Sequence, residues 1–462
     1  MSSRHRIPNA LLLLLALLTD SLPHLQAASG RSLPARFSRD QLGGGAVHPS
    51  LKRPTLLTFH GFVEDAQGRQ PIILHVLIKA KRLSDGSFSV RAVSYAERVS
   101  LQSNEQFAPN PTRMEMFLEY QAGADQPWQS LQLMMLGMLI AQGPFVQQVQ
   151  VPLGVNVKNL RLRVLDWPIF HTVDLHKLAM NGLHGQYMKL DGPFQHGVVI
   201  SDIHGIETTA AAQLLASHMA HHLALGFEQY VVYTRGPEIF EALVGNSVTA
   251  NYIQAGLLQL VTMESLQVPS YDDTRTDKAY PFHQSYDSMK LIAYNHASLM
   301  FWGDRFRLAV LDPDEFWSSH QSHSQVSTWF DTCFPYADLI MSTRVEVVCN
   351  DCPLNGGTEL SYLQQHWDES NPTGVLEHWS KVVTFSQDPK SMFWPDKVSQ
   401  VWLHRPNLLP GSHSVLVTID ETQREVVHAD SCVYVVHMYN LFKHRIPNDM
   451  TSVYNPLRWL VQ

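Results

Sequence analysis

The chain has 462 residues, 45% of them hydrophobic, and a formal net charge of −8 at pH 7. A chain of this length and composition can bury a large core and favours two or three domains, which excludes a disordered protein. The acidic balance excludes the basic surface that nucleic-acid-binding proteins carry, so we expect no nucleic acid among its partners.

The N-terminus has the pattern of a secretory signal peptide. A short basic region precedes an apolar run at residues 10–18, and small residues follow from Ala27. We expect a signal peptide over residues 1–27 and a linker over residues 28–54. A short signal anchor is the alternative, although the run falls short of the roughly 20 apolar residues that span a bilayer. No stable membrane span is expected, and the expected location is the secretory pathway, in the Golgi lumen or secreted.

The four cysteines predict disulfides, because the secretory pathway is oxidising. They are Cys333, Cys349, Cys352 and Cys432. Four cysteines allow three pairings, and the sequence does not choose among them. Cys349 and Cys352 could instead bind zinc, but no second Cys-x-x-Cys pair accompanies them. Structural disulfides are therefore the preferred prediction.

Residues 55–192 have the pattern of an antiparallel β domain. Short apolar runs with strand-like alternation are separated by turn residues such as Asp85-Gly86. These runs cover residues 72–78, 87–94, 146–151 and 160–165. The domain contains no convincing catalytic cluster, so a stem or packing module and a carbohydrate-binding module both remain open.

Residues 193–462 change to strands that alternate with helices. Strands are predicted at residues 198–200, 230–233, 257–262 and 306–311, and helices at 207–225, from Pro237, and at 284–301. Gly226 stands where a helix C-cap is expected. This alternation predicts a parallel sheet, so the fold class is α/β with a β-rich domain before it. Asp312 ends the last of these strands, at the edge where such sheets bind ligands.

The segment Asp312-Pro313-Asp314-Glu315 places three carboxylates within four residues, in a DxD motif. Carboxylate oxygens suit Mn²⁺ or Mg²⁺, and such an ion would neutralise the diphosphate of a nucleotide sugar. A solvated acidic turn is the alternative reading of an isolated Asp-x-Asp. Placement after an apolar strand and before Phe316-Trp317 favours the metal site.

Several further segments accompany this motif. They are His222-Leu-Ala-Leu-Gly226-Phe227, the strand at 230–233, Tyr252-Ile-Gln-Ala-Gly256, His283-Gln284, Tyr294-Asn295-His296, the later Lys390, Pro395, Val398 and His404, and His437-Met-Tyr439 with Arg445. Together they resemble glycosyltransferase family 92, whose members have the A-type nucleotide-sugar fold. The resemblance covers residues 196–450 and leaves the β-rich part unmatched.

The resemblance implies a Rossmann-like A-type glycosyltransferase domain over residues 193–462. It implies an inverting transferase that moves a sugar, with galactose expected, from a UDP-sugar donor to a glycan acceptor. The implied cofactor is Mn²⁺ or Mg²⁺, with Asp314 as a direct ligand and Asp312 as a ligand of the metal or of the donor ribose. His437 is a further candidate ligand of the metal or the diphosphate, and a partly buried histidine at a strand end is its alternative reading. The implied donor-binding residues are Asp312, Tyr233, Gln284, Asn295, Lys443 and Arg445.

An inverting transfer also needs a general base for the acceptor hydroxyl. Asp351 is the first choice, and Glu315 of the acidic motif is the other catalytic candidate. Three further carboxylates lie downstream of the motif, namely Asp331, Glu346 and Glu359. Each of the downstream carboxylates has an ordinary surface role as its alternative.

The histidines are interpreted as structural. His218, His221 and His222 share one helix face by their spacing, but the Glu of a His-Glu-x-x-His zinc helix is missing, so a packing or solvated role is preferred. His320 and His323 lie in a Ser-rich stretch, and a loop role is preferred for them too.

Two departures from the family pattern support a second functional reading. Ser217-His218 stands where the family usually has Glu-Trp, and Ala297 where it often has Cys. The runner-up is therefore a catalytically inactive glycan-binding or scaffolding descendant of the same fold. A metal-dependent hydrolase is a third reading, since clustered carboxylates also serve hydrolases.

Overall fold

The computed structural model describes residues 54–65, 68–98, 115–122, 125–136, 144–180, 194–203, 206–266, 286–319, 325–352, 358–418 and 432–442. The predicted signal peptide and most of the linker lie outside these ranges, as do His320, His323 and three predicted donor-binding residues, Gln284, Lys443 and Arg445. Within the described ranges, no helix is both long and apolar enough to cross a membrane.

The N-terminal part is a pair of antiparallel sheets. Its strands are β1 (Thr55–Asp65), β2 (Gly68–Arg82), β3 (Phe88–Arg98), β4 (Met116–Tyr120), β5 (Gln129–Gln132), β6 (Met134–Met135), β7 (Phe145–Val151), β8 (Leu160–Val164) and β9 (Phe170–Val173). One sheet has the order β1-β2-β3-β7-β6 and the other the order β5-β4-β8-β9. The short helix α1 (Leu175–Met180) follows β9. The four alternating runs of the sequence thus lie in β2, β3, β7 and β8.

Both faces of strand β2 are buried, each against a different partner. Leu74, Val76 and Ile78 pack into the core between the two antiparallel sheets. Leu77, one position out of phase, packs into a second core that is shared with the C-terminal part of the chain. Because strand side chains alternate between the two faces, one face of the N-terminal sheet packs against the C-terminal core. The packing reading of the β-rich part fits this arrangement.

Buried polar groups tie the two parts together as well. The Tyr95 hydroxyl donates to the carbonyl of Leu266, and Gln400 Nε2 donates to the carbonyl of Pro144 at 2.7 Å. The Arg91 guanidinium donates to the carbonyl of Pro395 at 3.1 Å and lies 4.6 Å from the ring centroid of Trp302. Residues 46–462 correspondingly form one compact unit.

Replacing Lys79 with methionine should lower the free energy of unfolding by about 2–4 kcal/mol, because the change strands buried acceptors. The Lys79 ammonium donates to the carbonyls of Met300 and Trp302 and lies 3.9 Å from Asp304 Oδ2. Denaturant unfolding would measure the loss. The exposed Lys158 provides the control, since Lys158→Met should change stability by no more than about 0.5 kcal/mol. Equal effects of the two substitutions would show that the Lys79 contacts do not hold the parts together.

The C-terminal part is built on a mixed sheet. Its strands are β10 (Gln195–Ile203), β11 (Gln229–Thr234), β12 (Leu258–Thr262), β13 (Phe306–Leu311), β14 (Glu315–Ser318), β15 (Leu339–Val348), β16 (Lys381–Phe393), β17 (Val398–Gln400), β18 (Asn407–Leu408), β19 (Ser414–Val417) and β20 (Tyr434–Met438). Among the described residues the strand order is β12-β11-β10-β13-β16-β15-β20-β14, with β19 beside β15, while β17 and β18 form a separate pair.

The first four strands of this sheet, β10 to β13, are mutually parallel. This agrees with the parallel sheet predicted from the alternation of strands and helices. Strand β16 then pairs antiparallel with both β13 and β15, so the sheet is parallel at one side and mixed at the other. The chain is therefore a mixed α/β protein with a large β content.

The helices are α2 (Thr208–Ala224), α3 (Pro237–Gly245), α4 (Ser247–Gln254), α5 (Tyr286–Phe301), α6 (Val326–Thr328) and α7 (Glu359–His366). The Glu207 carboxylate caps α2 by accepting from the backbone N–H groups of Thr209 and Ala210. Just past its end, Gly226 has a φ of +86°, the left-handed conformation expected of a C-capping glycine. Helix α5 packs between β10 and the N-terminal strands β2 and β3.

All four cysteines are paired as disulfides. Cys333 is bonded to Cys432, and Cys349 is bonded to Cys352. The first bond joins the segment before β15 to the residue that leads into β20. The Cys-x-x-Cys pair is closed on itself, so these cysteines are not zinc ligands. Structural disulfides, the preferred reading of the sequence, are what the structure has.

Candidate functional site

Asp312 lies at the carboxyl edge of the parallel strands. It follows β13 directly, and the register pairs Leu311 with Ile200 on the neighbouring strand β10. The next residue of β10, Ser201, donates its hydroxyl to Asp312 Oδ1 at 3.2 Å. The carboxyl-terminal part of β10 and the residue that follows β13 therefore meet at one polar group, at the edge where such sheets bind ligands.

Two lysines from different elements contact the Asp312 carboxylate. Lys290 Nζ, on helix α5, lies 2.5 Å from Oδ1, and Lys390 Nζ, on β16, lies 2.9 Å from Oδ2. Burial alone would raise the pKa of Asp312, but the two ammonium groups hold it well below its usual range. The carboxylate is ionised, and both of its oxygens accept from cations.

Glu315 is the fully buried member of the acidic motif. Its oxygens lie 2.8 Å from Arg344 Nη1 and 2.8 Å from Lys390 Nζ, and Oε2 also accepts from the backbone N–H of Asp312 at 2.8 Å. Burial favours the neutral acid, but Lys390 and Arg344 prevail and lower the pKa of Glu315 to about 2. A general base must contact the acceptor. In this structure the Glu315 carboxylate serves as a counterion to Arg344 and Lys390, and its catalytic role stays a prediction.

Asp314 and His437 meet across neighbouring strands. Strand β20 pairs with β14 so that His437 stands opposite Glu315, and it pairs with β15 so that His437 stands beside Glu346. His437 Nε2 lies 3.2 Å from Asp314 Oδ2, and Nδ1 is bonded to Glu346 Oε2. Burial would lower the pKa of His437, but the Asp314 and Glu346 carboxylates raise it to about 10. The ring is an imidazolium that donates to both acids.

The predicted metal ligands do not offer a free donor set. Asp312 gives each carboxylate oxygen to an ammonium group, and His437 gives each ring nitrogen to a carboxylate. A ring nitrogen that donates its N–H to a carboxylate cannot coordinate a metal at the same time, because coordination uses the nitrogen lone pair. In the part of the chain that the structure describes, no group of three or more His, Cys, Asp or Glu side chains is arranged to hold a metal ion. As arranged here, Asp312, Asp314 and His437 do not fit Mn²⁺ or Mg²⁺.

The three histidines of helix α2 clamp the strand that follows the acidic motif. His218 Nε2 donates to the carbonyl of Glu315 at 2.7 Å, and His221 Nε2 donates to that of Trp317 at 2.8 Å. His222 Nε2 accepts from the backbone N–H of Trp317 at 3.1 Å. All three rings are buried. The three histidines therefore have a structural role, as the sequence predicted. Their hydrogen bonds position β14 and the acidic motif that precedes it.

Two of the predicted donor-binding residues lie in the core. The Tyr233 hydroxyl, on a side chain without solvent exposure, is hydrogen-bonded to His296 Nδ1 at 2.7 Å. The Asn295 side chain donates to the carbonyls of Leu291 and Val401 and accepts from the Val401 N–H, all at 2.8–2.9 Å. Each side chain holds neighbouring segments together in this structure, and the donor-binding role of both residues stays a prediction.

The structure places the proposed base, Asp351, in a separate group beyond the end of β15. Its carboxylate lies 3.1 Å from His378 Nδ1, which is also 3.3 Å from the Tyr362 hydroxyl. Glu359 accepts from the indole of Trp379 at 2.6 Å and has a structural role. Asp331 is exposed, and Glu346 is bonded to His437. None of these four is placed as a base at the Asp312 cluster.

The cluster contains four charged side chains to which the sequence analysis gave no cluster role. They are Lys290, Arg344, Glu346 and Lys390. Of these, Lys390 was named only as a position that matches the family, and Glu346 only as a candidate base. Arg344 and Glu346 do carry a local signal, since they alternate among the valines at the end of strand β15 and so share one face. A buried charged pair in a strand core requires partners nearby. Lys290, next to Leu291 and Ile292 of helix α5, carries a similar signal.

No protein-family model matches the chain, and no curated protein sequence matches it either. Among solved structures, the chain is similar to a crystal structure of apo UDP-glucose pyrophosphorylase. The similarity covers 54% of this chain and 94% of the other, at 10% sequence identity and a TM-score of 0.22. A TM-score this low does not establish a common fold. The resemblance to glycosyltransferase family 92 therefore stays a prediction.

Proposed function

We propose that this protein is a glycosyltransferase that uses a nucleotide sugar as its donor. The observation that carries the proposal is the charged cluster around Asp312, at the carboxyl edge of four parallel strands, built on the motif Asp312-Pro313-Asp314-Glu315. Acids and ammonium groups combined at such an edge can bind both the hydroxyl groups and the diphosphate of a nucleotide sugar.

The finer parts of the proposal rest on the resemblance to family 92. They are a UDP-sugar donor, with galactose as the expected sugar, a glycan acceptor and inversion at the anomeric carbon. In that reaction the acceptor hydroxyl attacks the anomeric carbon, the bond to UDP breaks, and the hydroxyl proton passes to a base. Manganese is likewise implied only by the resemblance and stays a prediction. Two disulfides support a location in the oxidising secretory pathway.

A specific observation also favours the runner-up, a glycan-binding or scaffolding protein without turnover. Glu315 is buried as a counterion, and Asp351 belongs to the separate group with His378. Neither candidate base is therefore placed to deprotonate an acceptor at the cluster. Incubation with UDP-sugars and glycan acceptors separates the two functions. Release of UDP that depends on the acceptor supports transfer, whereas sugar-nucleotide or glycan binding without UDP release supports the runner-up.

Asp314→Asn should lower the rate of transfer at least tenfold, as loss of a charged group that contacts the reacting ligands typically does. The substitution conserves shape but removes the charge that the side chain presents beside His437. Asp351→Asn is the matched control, because Asp351 lies with His378 outside the cluster and its loss should leave the rate unchanged. Steady-state rates of UDP release, with circular dichroism to check folding, would decide. If Asp351→Asn were the inactive variant, the catalytic centre would lie elsewhere.

A further inference from the structure

Lys290 and Lys390 both contact the carboxylate of Asp312, which the sequence predicts as a metal ligand. The two ammonium groups approach its two oxygens. They come from helix α5 and strand β16, so the arrangement is built by three separate elements of the fold. The lysine stems are buried, with 8% of Lys290 and 2% of Lys390 exposed.

Cationic side chains of the protein itself already contact the carboxylates of the cluster. The buried carboxylates are Asp312, Asp314, Glu315 and Glu346, the exposed Asp388 lies 3.9 Å from Arg344, and the groups that contact them are Lys290, Lys390, Arg344 and His437. Each carboxylate has at least one cation within 4 Å. A divalent ion added to this set would meet two ammonium groups at its first ligand, and like charges at such distances repel.

Both lysines remain charged in this environment. Burial alone would lower the pKa of Lys290, but the charge of Asp312 outweighs it and raises that pKa above its usual value. Burial would also lower the pKa of Lys390, but the charges of Asp312 and Glu315 together raise it well above its usual value. Contact with these carboxylates therefore favours the charged form of each lysine.

We propose that the ammonium groups of Lys290 and Lys390 neutralise the donor diphosphate in place of a divalent ion, so that this protein binds its nucleotide without metal. The proposal rests on the proposed transferase function and specifies how that site handles charge. Lys290 has the more exposed side chain, 10% against 3% for Lys390, and we assign it the direct phosphate contact. Lys390, which bridges Asp312 and Glu315, is a positioning residue.

The chemistry requires no further component. A lysine ammonium is a compact donor of three hydrogen bonds and binds phosphate as a point charge. When the bond between the sugar and UDP breaks, negative charge grows on the β-phosphate oxygens. A cation fixed beside those oxygens stabilises that charge, and one held by buried carboxylates needs little reorganisation during the reaction. The departing UDP keeps the bonding electron pair, and nothing is oxidised or reduced.

The first experiment measures UDP binding by calorimetry, with EDTA and with Mn²⁺, and Mn²⁺ binding alone. We expect the same UDP affinity in both conditions and no stoichiometric Mn²⁺ binding to the free protein. UDP binding that appears only with Mn²⁺, or one tightly bound Mn²⁺ per chain, overturns this inference and leaves the transferase function standing. Absence of UDP binding in both conditions overturns the inference and the proposed function together.

Variants test the assignment of the lysines. Lys290→Met should weaken UDP binding at least tenfold in EDTA, and Lys290→Arg, which keeps the charge, should restore most of it. Lys397, a more exposed lysine that pairs with Asp338 at 4.0 Å, provides the control, and Lys397→Met should bind UDP like the wild type. Equal affinities of Lys290→Met, shown to be folded, and the wild type would overturn the phosphate contact. The Mn²⁺ measurement on the unmodified protein decides the metal question even if a variant fails to fold.

Discussion

Glu315→Leu should lower the free energy of unfolding by about 3–5 kcal/mol, the cost of breaking a buried ion pair by removing one partner. Glu315 has no exposed surface, and its two oxygens bind Arg344 and Lys390 at 2.8 Å each. Leucine of similar volume would leave both cations with fewer counterions in a buried setting. It would also remove the acceptor for the backbone N–H of Asp312, which shapes the turn of the motif.

Denaturant unfolding followed by tryptophan fluorescence would measure this loss. Glu377→Leu is the matched control, because Glu377 is exposed and the same substitution there should change stability by no more than about 0.5 kcal/mol. A double variant with Arg344→Leu adds a second test. If Glu315 and Arg344 are coupled, the double variant should lose less free energy of unfolding than the two single variants lose in total. The difference should be about 1 kcal/mol or more, as for residues in one ion-pair network. A Glu315→Leu protein as stable as the control would contradict the counterion role.

The parallel strands and their ligand edge could be predicted from the sequence because the signals are local. Each strand from β10 to β13 is a short apolar run, and Gly226 marks the end of helix α2 where its φ of +86° requires a residue without a side chain. Asp312 could be placed at the edge for the same reason, since it directly follows the run that forms β13. Boundaries differ by a residue, as for helix α2, which the sequence predicts over residues 207–225 and which spans Thr208–Ala224.

The partners within the cluster could not be predicted, because they are set by strand order and register rather than by local pattern. Strand β16 inserts antiparallel between β13 and β15, and this brings Lys390 to Asp312 across 78 residues of sequence. The pairing of β20 with both β14 and β15 likewise places His437 between Asp314 and Glu346. The hydrogen bonds of Tyr233 and Asn295 within the core could not be predicted either, because their partners His296 and Val401 are brought to them by the packing of separate elements.

Lowering the pH from 7 to 5.5 should destabilise the protein by about 3 kcal/mol through His218, His221 and His222 together, roughly 1 kcal/mol for each ring. Burial lowers the pKa of His218 to about 3 and that of His221 to about 4, and it holds the pKa of His222 well below its usual value. The rings are therefore neutral in the folded protein. Their hydrogen bonds agree, since each ring donates one N–H to a backbone carbonyl.

The sign follows from comparing the two states. Above pH 6.5, the ordinary pKa of histidine, the rings are neutral in both folded and unfolded chains, so their contribution to stability is complete. As the pH falls below 6.5, the three rings bind protons in the unfolded chain but stay neutral in the folded protein. The free energy of unfolding therefore decreases until the pH reaches the folded pKa values near 3 and 4. His437 opposes this trend, because its raised pKa, about 10, makes its contribution largest at low pH.

His221→Gln isolates one ring and cancels the contribution of His437, which is present in both proteins. The glutamine amide can still donate to the carbonyl of Trp317 but does not titrate in this range. We expect the variant to be less stable than the wild type at pH 7, because it packs less well. The difference in the free energy of unfolding between the two proteins should be about 1 kcal/mol smaller at pH 5.5 than at pH 7. Only the wild type loses stability through protonation of His221 in the unfolded chain. Urea unfolding at the two pH values would measure both gaps. A gap that stays constant or widens on acidification would mean that His221 is protonated in the folded protein, and the clamp on β14 would then not be made by a neutral ring.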